Sequence, residues 1–142
     1  EVSRLAREGE AKKSVMLPVS APFHCPLMKP AEIKLQKELE QTEFKNHQFP
    51  VICNVEAQPL TEGSSAYEAL VRQVCSPVRW SETMKCLVDQ GIEVVIELGT
   101  GKVLSNLMRR FSKDVKCFQV GDPTSLKRTV EACKALSKTW NS

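Results

Sequence analysis

The last third of the chain alternates short apolar runs with amphipathic stretches. Residues 92–98 and 116–120 are mostly apolar and predict two strands, with the glycines of residues 99–101 turning the chain out of the first. Two helices are predicted between and after these strands from apolar residues at helical spacing, which are Leu104, Leu107, Met108 and Phe111, then Leu126, Val130, Cys133 and Leu136. This alternation is typical of an α/β protein whose parallel sheet is covered by helices.

The first two thirds of the chain show the same alternation less regularly. Residues 2–9 are interpreted as the end of a helix. Further helices are predicted over residues 28–41 with Pro30 in the first turn, over residues 67–74, and from a cap at Ser81 to a stop at Gly91. The inward-facing residues are expected to be Met28, Ala31, Leu35 and Leu39, then Tyr67, Leu70, Val71 and Val74, then Met84, Leu87 and Val88. Short strands are predicted over residues 15–20 and 49–55, the second buried on both faces.

The composition is that of a globular protein, because 42% of the 142 residues are hydrophobic and 26% are charged. It excludes collagen-like, low-complexity and disordered chains, and a chain of this length supports one core. No apolar run approaches the ~18 residues of a membrane span, so no membrane insertion is expected. The first residue is Glu1 rather than Met, and we expect the sequence to be a piece of a longer protein.

Charge is distributed unevenly along a chain whose net charge is +3. Residues 98–142 hold nine Lys and Arg against three Asp and Glu, so this basic third either attracts phosphates or an acidic protein, or is a solvated helical face. Aromatic residues are only 6% and are not interleaved with the basic ones, which disfavours a nucleic-acid partner. The six cysteines show no C-x-x-C spacing and are typical of apolar residues in a reducing compartment, and no ligand-spaced cluster predicts a metal site.

The segment from Gly99 to Lys102 follows a predicted strand, as a phosphate-binding loop does. The Walker motif fails here, because Ile96 stands where it needs Gly and Val103 where it needs Ser or Thr. A dinucleotide fingerprint fails for want of a third glycine. We interpret the glycines as a tight strand-to-helix turn.

His24 follows the strand predicted over residues 15–20, at the sheet edge where open α/β folds bind ligands. It is interpreted either as a general base that points into a cleft or as a surface or helix-capping residue, and a dyad with the adjacent Cys25 is a further alternative. The chain has no G-x-S-x-G sequence that would supply a serine nucleophile. The residues alone therefore leave His24 as a base without a nucleophile.

Five motifs occur in a fixed order along the chain. The first is P-V-S-A-P-F-H-C-P-L-M at residues 18–28, followed by Pro30. The others are Pro50-Val51 with Asn54-Val55, Leu70 to Gln73, Pro77 to Trp80, and Glu97 to Gly99 with Lys102 to Leu104. Together they resemble malonyl-CoA:acyl-carrier-protein transacylases and the acyltransferase domains of polyketide and fatty acid synthases. The sequence most resembles the free-standing mitochondrial enzyme of animals.

The resemblance implies an α/β fold of a particular kind. Residues 1–20 would end an inserted ferredoxin-like small subdomain, and residues 21–142 would form the C-terminal part of a large α/β-hydrolase-like subdomain, a partial parallel sheet with flanking helices. It also implies a reaction that moves malonyl from coenzyme A to the phosphopantetheine thiol of acyl carrier protein in fatty acid synthesis. That reaction is ping-pong transfer through an acyl-serine, and no further cofactor is expected.

The resemblance gives roles to three residues of this chain. His24 would be the catalytic base that takes the serine proton and then the thiol proton. A backbone carbonyl at Gln73 would orient the imidazole in place of the usual carboxylate. Phe23 would favour malonyl over methylmalonyl, because a bulky ring crowds an α-methyl branch. The basic C-terminal third, with Arg109 and Arg110, would help to dock the acidic carrier protein or the phosphates of coenzyme A.

Three parts of the family's site precede the segment seen here. They are the serine, an arginine that pairs with the malonyl carboxylate, and a glutamine of the oxyanion hole. We therefore expect that the N-terminal half of the same enzyme is required, that the isolated chain is inactive, and that the protein works in the mitochondrial matrix. The alternatives are an acyltransferase domain of a multidomain synthase and a non-catalytic isoform that only binds carrier protein.

Overall fold

The computed structural model describes residues 1–16, 19 and 21–140, with side chains as far as residue 136. In chain order the elements in these ranges are α1 Val2–Glu8, α2 Lys29–Leu39, β1 Val51–Ile52, β2 Pro59–Leu60, α3 Gly63–Gln73, α4 Trp80–Asp89, β3 Val94–Leu98, α5 Val103–Phe111, β4 Lys116–Val120 and α6 Pro123–Trp140. A 3-10 turn, Pro26–Met28, leads into α2. Among the helices described here, none is long and apolar enough to cross a membrane.

The main sheet is a parallel pair of strands. β3 and β4 run in register from Val94 beside Lys116 to Leu98 beside Val120, and α5 connects them. Both α5 and α6 pack against β4. This order of strand, helix, strand and helix confirms the α/β class, and β4 has the bounds that the sequence predicts. The α/β-hydrolase-like and ferredoxin-like details stay predictions.

The strand predicted over residues 49–55, with both faces buried, is wrong in length and in burial, because Phe49 is 71% exposed and residues 51–55 are only half-buried. Only β1 is extended there, and it pairs antiparallel with β2, Val51 beside Leu60 and Ile52 beside Pro59. Pro50 and Pro59 have no N–H to donate, so the ladder cannot extend past them. Ala57, which adopts a left-handed conformation with φ of 55°, turns the chain between the two strands.

The strand predicted over residues 15–20 is absent at the three of these positions that the structure describes. Val15, Met16 and Val19 lie in no helix or strand, and the other positions of that prediction, 17, 18 and 20, lie outside the described residues. The subdomain boundary expected at residue 20 therefore stays a prediction.

The core lies between α4, α5 and one face of the β3–β4 pair. Its buried residues are Met84, Met108 and Val115, and the partly buried residues around them are Trp80, Leu87, Val88, Val95 and Cys117. The inward face predicted for α4 is thus confirmed. Gly91 ends that helix with a φ of 74°, a conformation that glycine adopts without strain.

The opposite face of the β3–β4 pair is apolar and open. Side chains alternate between the two faces of a strand, so Ile96, Leu98 and Val120 point away from the core. With Leu126 and Val130 of α6 they line a cavity of about 530 Å³. Leu98 is 79% exposed. Contiguous apolar surface of this kind is typical of a face that another part of a protein or a partner covers.

Candidate active site

His24 lies in the tight loop that precedes the 3-10 turn. Its backbone has a φ of 58°, in the left-handed region that a residue with a Cβ rarely adopts. Short hydrogen bonds hold the loop: the Phe23 N–H donates to the Ala21 carbonyl at 2.9 Å, and the Cys25 thiol donates to the Pro22 carbonyl at 3.0 Å. The imidazole is exposed. The loop therefore presents this ring to solvent from a strained and locally braced backbone.

The structure brings His24 and Gln73 together. The imidazole Nδ1 lies 3.1 Å from the Gln73 backbone carbonyl oxygen, across 49 residues of sequence. Gln73 is the last residue of α3, and the final carbonyls of a helix lack partners within the helix. A carbonyl can only accept, so Nδ1 carries the proton and Nε2 of the neutral ring is left with a free lone pair. This is the arrangement that a general base requires.

The Gln73 side chain has a different task from its carbonyl. Its Nε2 donates to the Ser76 carbonyl at 3.2 Å and to the Pro77 carbonyl at 3.4 Å. These bonds close the turn that follows α3. The side chain thus shapes the segment from which the carbonyl reaches His24.

Phe23 and Cys25 flank the imidazole in sequence and differ in what they can contribute. The Phe23 ring is 55% exposed, so it is open to a ligand bound beside His24. The Cys25 thiol bonds to the Pro22 carbonyl, and no bond to His24 is found among the described residues. The structure therefore does not form the Cys25–His24 dyad that the sequence left open.

A buried carboxylate beside this pair was not singled out from the sequence. Glu32 of α2 is only 8% exposed and pairs with Lys29, one turn earlier. Hydrogen bonds from the Cys75 thiol and from Lys29 hold the pKa of Glu32 below its ordinary value. Glu32 and burial in turn raise the pKa of the Cys75 thiol. The signal in the sequence was an acid at i+4 from Met28, on the helix face expected to be apolar.

The strand-to-helix turn at Gly99 is not built to hold a phosphate. The Glu97 carboxylate accepts hydrogen bonds from the backbone N–H groups of Leu104 at 3.1 Å and Ser105 at 2.9 Å. These are donors that an anion would need at the start of α5. Gly99 and Gly101 have φ values of 127° and 96°, as a tight turn requires. The interpretation of this segment as a turn is confirmed.

The basic residues fall into paired and unpaired groups. Arg72 pairs with Glu56, and Arg79 makes two bonds to Glu82, at 2.8 and 2.6 Å. Arg109 donates to the Cys117 carbonyl at 2.8 Å and so ties α5 to β4. Arg110 is exposed, and no hydrogen bond or ion pair of its side chain is found in the described part of the chain. Of the two arginines expected to dock a partner, Arg110 is therefore the one whose guanidinium is available for a partner.

These features define an α/β protein in which a strained, exposed histidine is oriented by a backbone carbonyl. No protein-family model matches the chain. A curated relative, the malonyl CoA-acyl carrier protein transacylase of Bacillus subtilis, is 40% identical over 132 residues, which are 93% of this chain and 42% of the relative. The chain spans about two fifths of the length of the curated relatives it matches.

Solved structures give the same result. The malonyl CoA-acyl carrier protein transacylase from Clostridium perfringens superposes with a TM-score of 0.89 at 29% identity, over 99% of this chain and 44% of that chain. A type II PKS acyl-carrier protein in complex with its malonyl-transacylase matches with a TM-score of 0.85 at 38% identity, over 92% of this chain and 42% of that chain. The chain is therefore homologous to malonyl CoA-acyl carrier protein transacylases and shares the fold of part of them.

Proposed function

We propose that this chain is the C-terminal part of a malonyl-CoA:acyl-carrier-protein transacylase and supplies its catalytic base, His24. The contact between His24 Nδ1 and the Gln73 carbonyl carries the proposal, because it leaves Nε2 free to accept a proton. The homology to transacylases over 93% of the chain supports the choice of reaction. The nucleophilic serine would come from an N-terminal half that this sequence does not include.

In the proposed mechanism His24 moves one proton in each of the two half-reactions. Nε2 takes the proton of the serine hydroxyl while the serine oxygen attacks the malonyl thioester. Nε2 then gives this proton to the sulfur of coenzyme A, which leaves as the thiol. Nε2 then takes the proton of the phosphopantetheine thiol, whose sulfur attacks the acyl-serine, and returns it to the serine oxygen. The Phe23 ring would line the acyl site and favour malonyl.

The open apolar surface supports a requirement for the N-terminal half. Within the described residues β3 pairs only with β4, so its other edge is free to accept a further strand. Ile96 and Leu98 beside that edge are exposed. Residues 1–20 would end the small subdomain and residues 21–142 would complete the large one. The likeness to the animal enzyme, the mitochondrial location and the absence of a cofactor remain predictions from the sequence.

A chimera tests the proposal. The chain is joined to the N-terminal part of the Bacillus subtilis relative, and transfer from malonyl-CoA to carrier protein is measured for the chimera and for the isolated chain. We expect the chimera to transfer malonyl and the isolated chain to transfer none. His24→Ala should lower it by about 10²–10⁴-fold, the usual contribution of a general base. His47→Ala, at the other histidine, is the matched control and should leave the rate unchanged.

Two results would overturn the proposal. Transfer by the isolated chain would show that no other half is needed, and full activity of the His24→Ala chimera would remove the base. An inactive chimera whose isolated chain still binds carrier protein would favour the non-catalytic isoform. Arg110→Glu should raise the KM for carrier protein and leave the KM for malonyl-CoA unchanged if the basic surface docks the carrier.

A further inference from the structure

We infer that Cys25 is a positioning residue: its thiol, which donates to the Pro22 carbonyl, holds the turn that presents His24 to the Gln73 carbonyl. The inference rests on the proposed function only for the role of His24 as a base. Cys25 has no part in the proton transfers, because its bond goes to the backbone. It acts through the conformation of the residue that precedes it.

The first observation is the place of this hydrogen bond in the loop. The chain turns at residues 23 and 24, so Pro22 and Cys25 are the two ends of a four-residue turn. The Cys25 Sγ lies 3.0 Å from the Pro22 carbonyl oxygen. The bond therefore joins one end of the turn to the other, with His24 between them. The backbone hydrogen bonds within residues 21–23 and 25–28 lie on either side of His24 and do not span it.

The second observation is that the turn holds His24 in a conformation that its residue type disfavours. Its φ of 58° falls at the third position of the turn, where a positive φ usually selects glycine or asparagine. Cys25 itself is extended, with a φ of −145° and a ψ of 169°, so the strain lies at His24 and not at the donor. A strained residue keeps such a conformation only when surrounding contacts hold it. The bond from the Cys25 thiol is a contact of that kind.

The third observation links this backbone to the imidazole. His24 Nδ1 lies 3.1 Å from the Gln73 carbonyl oxygen, and the side chain of His24 is exposed. Relaxation of His24 to a right-handed φ of about −60° would rotate its Cβ by roughly 120° about the N–Cα bond. Such a rotation carries the ring away from the carbonyl, and Nδ1 loses its acceptor. The Cys25 bond opposes the rotation because it fixes the ends of the turn on both sides of His24.

The donor can be removed and restored by substitution at one position. Cys25→Ala removes the thiol, and Cys25→Val removes it while keeping a similar volume on an extended backbone that suits a β-branched residue. Cys25→Ser restores a donor, because a hydroxyl donates to a carbonyl at least as well as the weakly donating thiol. Cys133→Ala is the matched control, since it removes another half-buried thiol, from α6.

The test reads the imidazole directly, in the chain itself. Two-dimensional ¹⁵N–¹H spectra at neutral pH distinguish Nδ1–H from Nε2–H, and His47 serves as an internal reference because the chain has only two histidines. We expect Nδ1–H to dominate at His24 in the unchanged chain, in Cys25→Ser and in Cys133→Ala. Cys25→Ala and Cys25→Val should each lower the ratio of Nδ1–H to Nε2–H by about twofold or more, the factor to which the ~0.5 kcal/mol of a weak net hydrogen bond corresponds.

An unchanged ratio in the variants without a donor, or an equal fall in Cys25→Ser or Cys133→Ala, would overturn the inference. Cys25→Val keeps the test valid if Cys25→Ala does not fold. In the chimera, Cys25→Ala should lower kcat and leave the KM for malonyl-CoA unchanged, and Cys25→Ser should restore kcat. If the tautomer responds as expected while the chimera transfers no malonyl, the proposed function fails and the positioning role stands. If the chimera transfers malonyl while the tautomer does not respond, the positioning role alone fails.

Discussion

The Nδ1 of His24 lies 3.1 Å from the backbone carbonyl oxygen of Gln73. A carboxylate in this place would add a negative charge and could take up a proton, whereas a carbonyl only accepts a hydrogen bond. The carbonyl at the end of α3 also belongs to the negative end of the helix dipole, which favours a positively charged imidazole beside it. Orientation and modest electrostatic support thus come from the main chain, so a side-chain substitution at Gln73 does not remove them.

Gln73→Ala should therefore leave transfer by the chimera within a few-fold of the unchanged protein. The carbonyl remains, and the lost bonds from Nε2 to the Ser76 and Pro77 carbonyls lower the free energy of unfolding by about 1 kcal/mol. Transfer kinetics and urea unfolding measure the two effects separately. If Gln73→Ala reduced transfer as much as His24→Ala does, the side chain would have the role assigned here to the carbonyl.

Glu97 gives a second prediction, which concerns pH. Its pKa is held below its ordinary value by hydrogen bonds from Ser105, first from the side chain and then from the backbone N–H. Glu97→Gln should lower the Tm by a few degrees, because a neutral amide caps the first turn of α5 less well than a carboxylate does. Glu131→Gln, at an exposed carboxylate of α6, is the control for a general loss of negative charge.

The sign of the pH effect follows from the direction of the shift. A carboxyl whose pKa is lower in the folded state binds fewer protons there, so it stabilises the fold above its unfolded pKa, near 4.5. That contribution is lost as the pH falls from 4.5 through the lower pKa of the folded state. The Tm difference between the unchanged chain and Glu97→Gln should be constant near neutral pH and shrink below pH 4.5. A difference that grew on acidification would contradict the assignment.

The spacing of hydrophobic residues along the chain predicts helices and strands well where the two follow one another directly. β4 has its predicted bounds, and the half-buried positions of α2 include the predicted Ala31, Leu35 and Leu39. In α3 the prediction is right in part: Tyr67, Val71 and Val74 are half-buried, as expected. Leu70 is exposed, and the fully buried Ala66 and Ala69 were not predicted. Small residues let two helices approach closely, and hydrophobicity alone does not reveal that geometry.

The candidate site depends on contacts that sequence spacing cannot show. His24 and Gln73 lie 49 residues apart, and their pairing was expected only from the resemblance to transacylases. Such contacts arise from the packing of α2 against α3, so they appear only when the fold is known.

Met108 and Leu107 give a third prediction, because the sequence placed both on the inner face of α5. Met108 is 1% exposed in the core, whereas Leu107 is 38% exposed. Met108→Ala should lower the free energy of unfolding by about 2–5 kcal/mol through lost contacts and the cavity left behind. Leu107→Ala should cost clearly less in the isolated chain. Urea unfolding followed by circular dichroism measures both, and equal losses would show that Leu107 is covered.

Gly63 gives the last prediction, at the start of α3. A Cβ added there would lie 2.5 Å from the Phe44 carbonyl oxygen and 2.8 Å from that of Lys45, both of them backbone atoms that cannot rotate away. The Gly63 N–H also donates to the Asn46 side chain at 3.1 Å, which fixes the helix start against the same loop. Gly63→Ala should therefore lower the free energy of unfolding by about 1–3 kcal/mol through overpacking.

Gly9→Ala is the matched control, because a Cβ there would meet nothing closer than the Leu5 carbonyl oxygen at 3.4 Å. The control should be neutral or slightly stabilising. Equal effects of the two substitutions in urea unfolding would show that the approach of Phe44 to α3 does not limit the size of the residue at position 63.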